Sequence, residues 1–247
     1  MLHLKQVDLN PFQPLDMNDF IIETFSLNKN YYQGRNLLKV LKGINLRVKK
    51  RAFTVIFGPS GAGKSTLIHI LGGIERASSG RVLFNGKDIN SLSEEELYYC
   101  RNRRIGFVFQ FHHLLGGFTA LENVALPCLI KGENKKQAFK KAYRLLEEVG
   151  LKDRTTHLPN QLSGGEQQKV AVTRALINEP DVLFADEPTG NLDKANGEMI
   201  LSLLLDLKQK KDNTVVLVTH NEELTKKADE VIYIEDGRIK EPKGRFL

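Results

Sequence analysis

"FTVIFGPSGAGKSTLIHILGG", residues 53–73, decides the fold of this chain. The apolar run Phe53 to Phe57 reads as a buried strand, a glycine-rich turn follows, and Leu67, Ile68, Ile70 and Leu71 carry the chain into a helix. Gly58, Gly63, Lys64 and Ser65 stand at the spacing of a phosphate loop, in the strand-loop-helix setting such a loop needs. Glycines let successive backbone N–H groups turn inward around phosphate oxygens, and the helix that follows adds its positive N-terminal end. The candidate cradle is therefore Gly58, Pro59, Ser60 and Gly61, continuing through Ala62, Gly63, Lys64, Ser65 and Thr66. Lys64 is placed to reach the β- and γ-phosphates of a nucleotide, and Ser65 to ligate Mg2+.

Working outward, such a loop needs a second metal anchor. "DVLFADEP", residues 181–188, supplies one as an apolar strand ending in two acids. Asp186 at the strand end can hold the metal, and Glu187, pointing elsewhere, can polarise a water for in-line attack on the γ-phosphate. This run and "TVVLVTH" show little alternation, as expected of parallel strands buried on both faces.

Further strands are expected at 21–27, 44–48, 81–84, 104–109, 214–219 and 231–235. Asn85-Gly86 and Asp236-Gly237 favour tight hairpins. Between 92 and 179 the pattern turns helical, with Ala138, Ala142, Leu145, Leu146 and Val149 on one helical face and Gly150 placed to end that helix. Strands and helices at both ends with a helix-rich insertion give an α/β fold. Residues 1–18, with Pro11 and Pro14 and no periodicity, are expected to form an N-terminal extension before a single domain, 19–247; Met17 is an alternative start.

Composition bounds the rest. With 247 residues, 41% of them hydrophobic and 27% charged, the chain can bury a full core as a soluble globular protein. Two cysteines, Cys100 and Cys128, make neither a disulfide framework nor a cysteine-rich zinc site, and no signal peptide opens the sequence. The net charge of +6 is modest and spread along the chain. The stretch from Ile105 to Leu121 carries no formal charge, yet it is shorter than the about 20 apolar residues of a membrane span. It also breaks at Gly116-Gly117 and contains His112 and His113. Adjacent histidines seldom chelate one ion from a regular element, so a metal site there is disfavoured.

"NQLSGGEQQKVAVTRAL", residues 160–176, completes the pattern. Ser163, Gly164 and Gly165 open a helix and offer a hydroxyl, exposed N–H groups and a helix dipole to an anion. The six-residue "LSGGEQ" ahead of "LFADE" resembles the signature of the ATP-binding cassette (ABC) family, and the likeness spreads over most of the chain. It implies a P-loop NTPase (RecA-like) core with an antiparallel β subdomain and an inserted α-helical signature subdomain. It also implies ATP and Mg2+ as cofactors.

The resemblance assigns further roles in order. Gln110 of "VFQ" would sense the γ-phosphate, contact Mg2+ and lead into a transporter-facing surface. Asp193 of "GNLD" would lie in the loop crossing a dimer interface, and His220 of "LVTH" would contact the γ-phosphate. "LNKNYYQG" resembles the adenine-stacking loop, with Tyr31 favoured over Tyr32. Ser163, Gly164, Gly165 and Glu166 would complete the phosphate site of a second copy, so a homodimer sandwiching two ATP molecules is implied. DNA-repair and ribosomal members need coiled coils or two cassettes, which leaves no nucleic-acid partner, and a silent regulatory cassette is disfavoured by Lys64, Asp186, Glu187 and His220.

"FQFHHLLGGFTALENVALP", residues 109–127, resembles the lipoprotein-releasing subfamily, while "FADEPTGNLD" is shared with macrolide-export (MacB-type) and cell-division (FtsE-type) ATPases. That likeness implies a peripheral subunit on the cytoplasmic side of a bacterial inner membrane, contacting separate permease subunits of the LolC/LolE type through residues 111–127. Gly116-Gly117 stands where Pro-Asp is frequent, and Asn221 where an aspartate is frequent.

Overall fold

The computed structural model describes residues 19–211 and 213–240. The expected extension 1–18, with its alternative start at Met17, lies outside the described residues. Two long strands, β1 (Phe20–Gln33) and β2 (Asn36–Lys49), pair antiparallel, and β1 also pairs antiparallel with β4 (Ser79–Phe84), which in turn meets the short β5 (Lys87–Asp88). They form a four-stranded sheet in the order β2-β1-β4-β5.

The second sheet is the nucleotide-type core. β3 (Phe53–Phe57), β6 (Ile105–Val108), β7 (Val182–Asp186), β8 (Thr214–Thr219) and β9 (Glu230–Glu235) run parallel, and β10 (Arg238–Ile239) closes one edge antiparallel. The order is β10-β9-β3-β8-β7-β6. Every residue of β7 and β8 is buried, which is why both read as continuous apolar runs.

Both expected hairpins form. Asn85 and Gly86 have φ of 47° and 78°, and Asp236 and Gly237 have 48° and 69°. Paired positive φ values define the turn that matches strand twist, and they explain Asn-Gly and Asp-Gly at those places. β1 and β2 run well beyond their expected bounds. Their tips, with Tyr32, Leu37 and Leu38 exposed, carry no core face and so give no alternating signal, and of the added part of β2 Leu41 is the residue that is fully buried.

Helix α1 (Lys64–Leu71) follows β3 and buries Leu67, Ile68, Ile70 and Leu71 between the two sheets. Helix α2 (Glu94–Arg104) packs back toward α1: a side chain at Gly73 would meet Leu97 at 2.7 Å. β6 then divides the helical stretch, leaving α3 (Ala120–Ile130), α4 (Lys135–Glu148) and α5 (Gly164–Leu176) as a helical unit. That unit has its own core of Val124, Ala125, Ala138, Ala142, Leu146 and Val170. Gly150, with φ of 75°, ends α4 in the left-handed conformation glycine tolerates. Helix α6 (Lys194–Lys211) covers the other face of the parallel sheet, where Ile200, Leu201 and Leu204 pack on Val215 and Leu217.

In register, Phe57 lies beside Thr219 and Asp186 beside Val218, so β3, β7 and β8 end together. The carboxyl ends of parallel strands are where α/β sheets bind ligands.

Candidate functional site

The loop after β3 is held from behind by the turn between β9 and β10. Gly237 N–H donates to Ala62 O at 3.1 Å, and a side chain at Gly58 would collide with Ile234 O, so only glycine allows that approach. Gly61 and Gly63 adopt φ of 77° and 96° and fold the loop over the start of α1. Among the described residues nothing lies within 4 Å of a Cβ built on Gly61, so that edge of the cradle is open there.

Lys64 is 5% exposed, and its ammonium donates to Gly58 O at 2.8 Å and Pro59 O at 2.9 Å. Burial lowers its pKa, and the carboxylates of Glu187 and Asp186 pull it back up. A buried cation held, among the described residues, by two neutral carbonyls, with acids nearby, is ready to exchange those carbonyls for phosphate oxygens.

Ser65 Oγ donates to Asp186 Oδ1 at 3.0 Å, which joins the loop to the end of β7. Burial raises the pKa of Asp186, and the Ser65 bond opposes this. A hydroxyl and a carboxylate facing one another at the mouth of a phosphate loop form an all-oxygen donor set. That set fits a hard cation such as Mg2+.

Glu187 follows with φ of 43°, unusual for a residue bearing a side chain. Its N–H donates to Val218 O, and its Oε2 lies 2.6 Å from Nδ1 of His220, just past the end of β8. A Cβ at Gly190 would be 3.2 Å from Gln110 Nε2 and 3.6 Å from Glu187 Oε2, so Gln110 and Glu187 flank the same point. Asn191 Nδ2 donates to Gln110 O at 3.2 Å. Lys64, Ser65, Asp186, Glu187, His220 and Gln110 therefore converge, although they come from four separate stretches of chain. Asn221 caps the short 3-10 helix 222–227 by accepting from Glu223 N–H.

Strand alternation separates the two tyrosines. The Tyr31 phenol donates to Glu75 Oε2 at 2.6 Å and also meets the Thr66 hydroxyl, so it sits at the phosphate loop, whereas Tyr32 is 79% exposed. Burial, and then the Glu75 bond, push the Tyr31 pKa up to about 12. Lys29 lies 4.9 Å over one face of the Tyr31 ring and pairs with Glu75 at 2.8 Å.

The signature residues form a second group. Ser163 caps α5 by accepting from Glu166 N–H, while Glu166 Oε2 accepts from Ser163 N–H and Oε1 from Arg154. Both oxygens of Glu166 are thus engaged inside its own chain. A side chain at Gly165 would strike Asn196 Oδ1; Asn196 itself donates to Asp193, which caps the start of α6 and is thereby held below the usual carboxylate range.

The segment after Gln110 divides in two. Residues 111–118 are largely exposed, with Phe111 64%, Leu115 42% and Phe118 42% accessible, whereas from Ala120 on α3 turns Val124 and Ala125 into the helical core. The open surface is therefore narrower than 111–127. Sequence reading missed Arg174, whose guanidinium donates to His113 O at 2.7 Å and His112 O at 2.9 Å, tying α5 to this loop. Arg174→Ala is expected to cost about 1.5–3 kcal/mol and to speed amide exchange across 111–118 in hydrogen-exchange mass spectrometry. Unchanged protection there would remove Arg174 as the loop's tether.

Residues 41–190, more than half the chain, match the family described as ABC transporter. The chain belongs to the ABC transporter family. Among its relatives is the lipoprotein-releasing system ATP-binding protein LolD of Legionella pneumophila (strain Paris), 45% identical over 223 residues, which are 90% of this cassette and 98% of that protein. The protein of the same name from Syntrophus aciditrophicus (strain SB) is 48% identical over 219 residues, 89% of this chain and 98% of its own. Among solved structures, the dimeric bacterial ABC transporter cassette MJ0796 matches with a TM-score of 0.84 at 39% identity, over 89% of this chain and 97% of that one. A dimeric post-hydrolysis state of MJ0796 bound to ADP and Pi matches with a TM-score of 0.83 at 38% identity, with the same coverage. As a member of this family the cassette binds and hydrolyses ATP. No helix among the described residues is long and apolar enough to cross a membrane.

Proposed function

We propose that this cassette is the ATP-hydrolysing subunit that powers release of lipoproteins from the inner membrane toward the outer membrane. It would act as a peripheral homodimer on the cytoplasmic face, beneath separate permease subunits of the LolC/LolE type. The observation that carries the ATPase chemistry is the convergence of Lys64, Ser65, Asp186, Glu187 and His220 where β3, β7 and β8 end. The cargo assignment is supported by relatives carrying the lipoprotein-releasing name along about nine-tenths of this chain.

In this reading Lys64 and the N–H groups of residues 60–66 hold the phosphates, and the ring of Tyr31 stacks the base while Lys29 and Glu75 fix its position. Ser65, Asp186 and Gln110 hold Mg2+, which when bound supplies positive charge at the β- and γ-phosphates. Glu187 accepts a proton from the attacking water, and His220, braced against Glu187 Oε2, turns its other ring edge to the γ-phosphate. Ser163, Gly164, Gly165 and Asp193 face the ATP of a second copy. Glu166 contributes by bracing Ser163 rather than by touching nucleotide, since both its oxygens are engaged. ATP closes the dimer, and hydrolysis with phosphate release reopens it.

The exposed apolar loop 111–118 begins beside Gln110, so nucleotide-dependent motion of Gln110 reaches the surface offered to the permease. The test is a tagged pull-down from detergent-solubilised membranes with partners identified by mass spectrometry, comparing the unmodified chain with Phe111→Ser/Leu115→Ser. Lipoprotein-release permeases are expected with the unmodified chain and at least about tenfold fewer with the double variant, a loss of about 1.4 kcal/mol or more. Recovery of a different transporter would overturn the cargo assignment, and equal recovery by both chains would overturn the contact surface.

A further inference from the structure

His69 has no role in the mechanism above, yet its Nε2 is buried and has no hydrogen-bond partner among the described residues. Such atoms are rare in folded proteins and call for a reason. His69 stands four residues after Ser65 on α1, so the two side chains share one helical face. They approach the two oxygens of one carboxylate: Ser65 Oγ lies 3.0 Å from Asp186 Oδ1, and His69 Nε2 lies 3.7 Å from Asp186 Oδ2. The rings of Phe107 and Phe109, with centroids 5.4 Å and 6.1 Å from that of the imidazole, wall it in and fix its direction.

At 3.7 Å there is no hydrogen bond. The gap is small, and it is Ser65 that now holds the carboxylate. When the Ser65 hydroxyl turns to a ligand, Asp186 loses that bond and is free to rotate toward the waiting Nε2. An imidazole nitrogen suits this task better than direct ligation, because Mg2+ prefers oxygen donors.

We propose that His69 is a positioning residue for the metal anchor: its Nε2–H takes over Asp186 Oδ2 in the loaded cassette and keeps Asp186 Oδ1 directed at the ion. The proposal rests on the reading of Asp186 as that anchor. Outer partners of metal-binding carboxylates commonly tune metal affinity by about 10–100-fold. His69 is expected to act on the metal-dependent part of nucleotide binding alone.

The experiment measures ADP binding to the full chain by calorimetry, once in excess Mg2+ and once in EDTA, for the unmodified protein, His69→Leu, His69→Gln and Asp186→Asn. Leucine suits the Phe107 and Phe109 surroundings, and binding in EDTA reports an intact fold. His69→Leu is expected to weaken binding in Mg2+ about tenfold or more, with binding in EDTA within about twofold of the unmodified protein. His69→Gln, which keeps an amide donor of similar reach, should restore most of the loss. An unchanged Mg2+ affinity in His69→Leu, an equal loss in both buffers, or failure of glutamine to restore binding would each overturn the proposal. Asp186→Asn distinguishes the two layers: loss of the metal-dependent gain there, beside an unaffected His69→Leu, sinks only the role of His69. A retained gain in Asp186→Asn removes the anchor reading and this proposal with it.

Discussion

Glu187→Gln is expected to bind ATP within about twofold of the unmodified chain while its turnover falls by about 10²–10⁴-fold, the usual share of a positioned general base. The substitution keeps the volume of the side chain and one carbonyl oxygen beside His220 Nδ1, now 2.6 Å from Glu187 Oε2. It removes the capacity to take a proton from water at neutral pH. The backbone supports a chemical role for this position, since φ of 43° on a residue with a side chain costs on the order of 1–3 kcal/mol and persists where structure or function demands it. Here the Val218 carbonyl fixes the Glu187 N–H and so aims the carboxylate.

With opening made dependent on a slow hydrolysis, ATP should accumulate a closed dimer of the glutamine variant, visible as a shift to twice the mass in light scattering. Phosphate release near the unmodified rate would remove Glu187 as the base. A low rate without the dimer would mean that the variant had lost ATP instead.

The parts of this cassette that were legible in the sequence are those whose chemistry is contiguous. The phosphate loop fixes its own backbone through Gly58, Gly61 and Gly63, and β7 announces itself by an apolar run that stops at two acids. The hairpin turns were readable because Asn-Gly and Asp-Gly act locally. Tyr31 against Tyr32 was not settled by spacing alone; strand alternation, which sends one phenol to Glu75 and the other to solvent, separates them.

Contacts made across the fold stayed hidden. His69 lies in "TLIHIL", an apolar helical run in which a histidine reads as filler, and its meaning appears only when β7 is laid beside α1. Arg174 reads as an ordinary charge on the signature helix until the loop 111–118 folds over it. Glu166, which the resemblance places at a second copy's phosphate site, also forms a reciprocal helix cap with Ser163, a cap that their spacing of three already spells. The same spacing recurs at Ser93 with Glu96 and at Thr119 with Glu122, and both pairs form that cap.

Lys64→Ala is expected to weaken ATP about 10- to 100-fold without unfolding the domain, because a charge-assisted hydrogen bond to an ionised group is worth about 1.5–3 kcal/mol. In the present arrangement the ammonium closes the loop on itself through Gly58 O and Pro59 O. Alanine removes the two hydrogen bonds to Gly58 O and Pro59 O but also the desolvation cost of a buried ammonium, so the cost to the fold stays small while the phosphate loses its cation. Lys64→Arg should not restore affinity: the buried ammonium sits in a space shaped for a point charge, and a planar guanidinium cannot occupy it without moving Gly58, which already touches the backbone of Ile234. Equilibrium binding of a fluorescent ATP analogue, with circular dichroism to confirm folding, measures both variants. Undiminished affinity in Lys64→Ala would end its role at the phosphates, and full rescue by arginine would mean that charge alone, rather than charge at this place, holds the nucleotide.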